Sequence, residues 1–210
     1  VSARSSHLNW LMAAGAAAAV WAVLVRLSPL GDWWVQKVFC LGWIVLAWKA
    51  VPSEELPRLR LSWREAVLGA VVGAGMVAAS WAVARGLCED ASLAVCAPVR
   101  TLISRAAEVR LGSLVGIALI IVPAEELFWH GAVHGWLRPR VGRVASAALS
   151  TALLGLSYLL VGEWELALLV VPTFLAWGLL VEWRRNLWSA CACHMVWTPG
   201  MIVLLGQGLG

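Results

Sequence analysis

Seven apolar stretches run through this chain: Leu8 to Val25, Trp33 to Trp48, Ala66 to Ala84, Leu111 to Trp129, Val144 to Val161, Leu166 to Val181 and Leu187 to Leu205. Polar interruptions separate them. A helix needs about 20 mainly apolar residues to cross the hydrocarbon core of a bilayer, and each stretch reaches or approaches that length. The pattern predicts an all-α polytopic membrane protein, a bundle of about seven transmembrane helices. Ser28-Pro29-Leu30-Gly31-Asp32 is a turn signal that makes a hairpin of the first two spans. The polar, proline-containing stretch Val51 to Arg60 sets this pair apart. Two parts follow: an N-terminal hairpin with its linker over 1–60, and a membrane core over 61–210. Val99 to Val109 reads as a short helix lying at the membrane interface.

Composition agrees, since 61% of the 210 residues are hydrophobic and only 13% are charged, too apolar for a soluble domain of this length. Arg4 before an alanine-rich run imitates a secretion signal. The run continues to Trp21 and Arg26 without a convincing cleavage site, so a retained helix is expected. Fifteen Trp stand against one Tyr, and many of them fall near predicted span ends, as an aromatic belt does.

Charge orients the bundle. With seven spans, Arg4, Lys49, Arg58, Arg60, Arg64, Arg138, Arg140, Arg143, Arg184 and Arg185 share the side of the N-terminus. Arg26, Lys37, Arg85, Arg100, Arg105 and Arg110 lie opposite. The richer side is expected to be cytoplasmic. The net charge of +4 then calls for anionic lipid at the membrane flanks and for no nucleic-acid partner. Cys88 and Cys96 share a loop on the outer side, where a disulfide is expected. Cys40, Cys191 and Cys193 fall in spans and read as small hydrophobes.

Against this apolar background the adjacent carboxylates Glu125 and Glu126 stand out, deep in the fourth span. A charge at the bilayer centre costs about 3 kcal/mol on insertion scales, so a pair there points to function. Their helix is expected to continue to about Arg138, with Pro139 to Gly142 turning the chain. Glu126, His130 and His134, at i, i+4 and i+8, form one polar stripe. Glu125 is rotated about 100 degrees from it. On the last span His194 and Thr198 share a face, and Tyr158 is the only phenol. Equal-depth counting through straight antiparallel helices sets Glu125 opposite Tyr158. The same count leaves His194 out of register by about 10 Å, at about 1.5 Å per residue.

A carboxylate in a low-dielectric pocket is a competent general base, a nearby imidazole can hold a water or move a proton, and a small polar group can stabilise an oxyanion. Such a set activates water against an amide. The same side chains allow a metal site, with Glu126, His130, His134 and His194 as ligands, although the His-Glu-x-x-His signature of zinc proteases is absent.

The run Glu125-Glu126-Leu127-Phe128-Trp129-His130-Gly131, with a basic turn after it and His194 one turn before Thr198, resembles the intramembrane glutamic endopeptidases of the CAAX-protease and bacteriocin-processing family. The likeness covers about 111–205. It implies that Glu125 activates water, that Glu126 is its partner, and that His194 is the histidine of the third motif. His130 stands where the family has Arg, Leu154 and Tyr158 where it has Phe and His, and Thr198 where it has Asn.

The implied activity is cleavage of a peptide bond in or near a membrane-embedded or lipid-anchored protein segment, with no cofactor. Glu126 and His130 organise the site; Tyr158 or Thr198 bonds the oxyanion. The implied setting is a bacterial cytoplasmic membrane, N-terminus inside. Members with a Glu-Glu-Leu-Phe-Trp run also resemble sorting proteases that process C-terminal anchors of surface proteins. Two other readings stand beside this one: an inactive member that binds a peptide or lipid in the same cavity, and a His/Glu metal-dependent membrane hydrolase.

Overall fold

Among the described residues, five apolar helices long enough to cross a membrane account for the last five predicted spans. The computed structural model describes residues 58–88, 96–160 and 162–206, with isolated positions among the first 51. In chain order the helices are α1 (Trp63–Cys88), α2 (Cys96–Ala107), α3 (Leu111–Val141), α4 (Arg143–Leu160), α5 (Trp164–Arg184) and α6 (Leu187–Gly206). No strand occurs among the described residues. The two N-terminal spans of the expected seven lie outside them, apart from a few isolated helical positions.

Glycines fix how α1 meets α6. A Cβ at Gly69 would overlap the carbonyl oxygen of Ser189, and one at Gly73 would come within 2.6 Å of the carbonyl oxygen of Cys193. Small residues four apart let two backbones touch, which is how helices associate where lipid supplies no hydrophobic drive. One turn on, Val77 fills the space over Gly200, and the Trp197 indole N–H donates to Ser80 Oγ at 3.2 Å.

α3 is not a uniform α-helix. It widens into π-turns at Ile117–Ile121 and Leu127–Val133, on either side of the short α-helical segment Val122–Glu126. Pro123 has no N–H to give, and its ring crowds the carbonyl four residues back, so a wide turn before it relieves the conflict. In the second π-turn the His134 N–H reaches back five residues to the Trp129 carbonyl, which also accepts the Ser150 hydroxyl at 3.0 Å. The helix runs through Pro139 to Val141, and the turn into α4 is made by Gly142, whose φ of 85° suits glycine.

α3 and α5 run side by side in the same direction. A Cβ at Gly178 would lie 3.2 Å from His130 Nε2, and one turn later Glu182 Oε1 is 3.1 Å from His134 Nε2. Glu182 is buried and gathers arginines from three places: Arg58 at 2.9 Å, Arg138 at 3.0 Å and Arg143 at 2.7 Å. Arg184 pairs with Glu65 at the same end. The described part of the 51–60 stretch is anchored there too. Val51 and Leu59 are buried, the Trp188 indole donates to the Leu59 carbonyl at 2.8 Å, and Asn186 donates to that of Arg60 at 3.1 Å.

The opposite end is closed by α2. A disulfide joins Cys88 to Cys96, Arg105 pairs with Glu163 at the α4–α5 turn, and Gly206 packs on Ala106. The helix expected over Val99 to Val109 is this one, starting at Cys96 and ending at Ala107.

Candidate active site

Glu126 is fully buried, and each of its oxygens meets an imidazole. Oε2 lies 2.7 Å from His130 Nδ1, one turn along α3, and Oε1 lies 2.9 Å from His194 Nδ1 on α6. An ionised carboxylate can only accept, so both imidazoles are assigned Nδ1–H. That leaves Nε2 of each ring free for other work. His194 Nε2 faces Glu125, whose Oε2 is 3.9 Å away, too far for a direct hydrogen bond and close enough for one water to touch both. Glu125 is 7% exposed and Glu126 0%, so only the first carboxylate has an edge toward the surroundings.

An aromatic wall from α5 backs the imidazoles. Trp177 stacks on His194 with centroids 3.8 Å apart and planes 22° apart, and Phe174 stacks on His130 at 4.9 Å and 23°. Trp197 meets Trp177 edge-on at 5.5 Å.

The structure thus brings together Glu125, Glu126, His130 and His194. It resolves the expected misregister of His194, because equal-depth counting presumes straight helices, and α3 carries π-turns while α5 contains Pro172. The expected stripe of Glu126, His130 and His134 is split. The wide turn over Leu127–Val133 carries His134 onward to Glu182, leaving the two histidine rings 6.2 Å apart. The proposed metal quartet of Glu126, His130, His134 and His194 does not converge, and among the described residues no group of three or more His, Cys, Asp and Glu is arranged to hold a metal ion. Tyr158 is buried on α4, and Thr198 is half-buried one turn beyond His194.

Sequence reasoning missed Glu182, Phe174, Trp177 and Trp197. Glu182 had a visible signal, an acid closing an apolar span next to arginines. The aromatic residues had none, being three more apolar positions among many.

The family model described as type II CAAX prenyl endopeptidase Rce1-like matches residues 107–199. Over that segment the chain is similar to an Rce1-like domain. The matched segment holds Glu125, Glu126, His130 and His194 and runs from the end of α2 into α6. Among the described residues five helices are long and apolar enough to cross a bilayer, so this is a multi-pass integral membrane protein, similar over 107–199 to CAAX-type endopeptidases. No curated protein and no solved structure matches the chain.

Proposed function

We propose that the protein is an intramembrane glutamic endopeptidase in which Glu125 and His194 hold the attacking water. One observation carries this reading: Glu126 grips His194 by Nδ1 and so presents Nε2 to Glu125, 3.9 Å away. A water between them donates one hydrogen bond to the Glu125 carboxylate and the other to the Nε2 lone pair. Its oxygen is left facing a substrate carbonyl. As the carbon–oxygen bond forms, Glu125 takes the water's proton and the carbonyl π pair moves onto oxygen. Collapse of this intermediate breaks the carbon–nitrogen bond, and Glu125 returns the proton to the leaving amine. Oxyanion donors come from Tyr158 or Thr198, which supply hydroxyl groups where the family's second and third motifs have His and Asn. His130 shares Glu126 and keeps that carboxylate aimed.

The substrate class is a membrane-embedded or lipid-anchored protein, since the site lies inside the bundle and the matched family acts on CAAX prenyl proteins. Processing of C-terminal anchors of sorted surface proteins is a narrower form of the same activity. The arginine-rich end, with Arg58, Arg138 and Arg143 on Glu182, is assigned to the cytoplasm, and the disulfide end to the oxidising side.

The test is a comparison of membrane proteins in cells that carry wild type or Glu125→Gln at equal abundance. Build-up of one or more uncleaved anchored proteins with the variant is expected. Equal processing by both removes the hydrolase and leaves a protein that binds peptide or lipid in this cavity, a role that Tyr158 in place of the second-motif histidine would suit.

A further inference from the structure

Resting on the peptidase reading, we propose that Trp177, with Phe174 one turn earlier on α5, acts as a positioning residue that sets the plane of the His194 ring and thereby the direction of its reactive Nε2. A hydrogen bond at Nδ1 does not do this alone. The torsion that turns an imidazole about its Cβ–Cγ bond is broad, so a ring held at one nitrogen can still swing the other. In this site the swing decides whether Nε2 meets Glu125 or misses it.

The indole supplies the missing constraint. Its face lies 3.8 Å from the His194 centroid, with 22° between planes, while Phe174 presents an edge to the same ring at 5.8 Å and 81°. Phe174 also stacks on His130, so both imidazoles bound to Glu126 have an α5 ring against one face. Both aromatic residues are 1% exposed. Trp177 is fixed in turn by Phe174 at 5.2 Å and by Trp197 at 5.5 Å, each near edge-on, and Trp197 is tied to α1 through Ser80. A continuous line of contacts therefore runs from α1 through two indoles to the imidazole. Filling volume alone would not require a face parallel to the histidine, and any large apolar side chain would then serve.

The experiment uses the full chain in lipid nanodiscs with labelled histidine. The chain has four histidines, at 7, 130, 134 and 194, so each is assigned by a single His→Gln variant. In the wild type, the His194 ring protons are expected upfield of the other histidines because they lie over the indole face, with Nδ1 protonated. Trp177→Phe keeps a reduced upfield shift; Trp177→Leu and Trp177→Met abolish it and let the ring sample more than one orientation.

Glu125-dependent processing in cells falls about tenfold or more with Leu or Met at equal abundance, and recovers with Phe, as expected for displacement of a reacting group. A wild-type His194 without the upfield shift overturns the proposal even if the variants do not fold. So does a Leu variant that processes at the wild-type rate. Loss of Glu125 dependence strikes the peptidase reading instead, and the resonance then still decides the ring geometry.

Discussion

Glu126 and His194, 68 positions apart in sequence, meet with Oε1 and Nδ1 at 2.9 Å in the buried centre of the bundle. The second oxygen of the same carboxylate meets His130 at 2.7 Å, so one acid holds two imidazoles. In the reading proposed above, Glu126 orders the site and Glu125 meets the water.

Glu126→Gln should fold and lose processing. An amide offers one acceptor oxygen, and its NH₂ group faces the N–H of the second imidazole, which must flip or break away. By analogy with other orienting carboxylates the loss is on the order of 10⁴-fold. Processing at the wild-type level, measured in cells at equal abundance, would show that His194 needs no carboxylate on Nδ1.

Gly73→Ala should weaken both fold and activity. The new Cβ would meet the Cys193 carbonyl oxygen at 2.6 Å, and α6 must back away from α1. Overpacking of this kind costs about 1–3 kcal/mol. Because Cys193 precedes His194, the shift reaches the site. Thermal unfolding in detergent reads the first effect, and processing of the accumulating substrate reads the second. Gly75, with open space at its Cβ position, is the control: Gly75→Ala should be neutral or slightly stabilising.

Glu182→Ala should destabilise by about 3 kcal/mol, since it leaves Arg58 and its companion cations without their buried counter-charge. His134→Ala in the same background should add less than it does alone, because its contact with Glu182 is already gone. A double-mutant cycle on unfolding midpoints measures this. Strict additivity would mean that the two residues, although 3.1 Å apart, do not interact.

Replacing Cys88 and Cys96 together by Ser should lower stability by about 2–3 kcal/mol, the chain-entropy value for so short a loop. In intact cells, an impermeant maleimide should label Cys88, the partly exposed one of the two, in the wild type only after reduction. Labelling without a reductant would argue against the disulfide. Absence of labelling after reduction would invert the membrane orientation proposed above.

Much of this was legible in the chain. The last five spans follow from hydropathy, because a helix in lipid must satisfy its own backbone and show apolar side chains all round. The turn expected over Pro139 to Gly142 narrowed to Gly142, with the helix running on to Val141, and the short helix expected over Val99 to Val109 spans Cys96–Ala107. Glu125, Glu126 and His194 stood out because ionisable groups are rare at such depth. What hydropathy lacks is rotation and neighbour identity. A stripe drawn with 3.6 residues per turn ran Glu126, His130 and His134 together, and the π-turn over Leu127–Val133 parted them.

The sequence by itself determined that this is an all-helical membrane protein with a buried acid pair and an intramembrane histidine, since residue type and spacing alone carry the cost of burying charge. Only the tertiary structure decided that Glu126 rather than Glu125 holds His194, that His134 belongs to Glu182, and that Trp177 lies flat on the imidazole. Those pairings depend on helix rotation, tilt and close approach at Gly69 and Gly73. These are set by contacts between distant segments, and no local pattern encodes them.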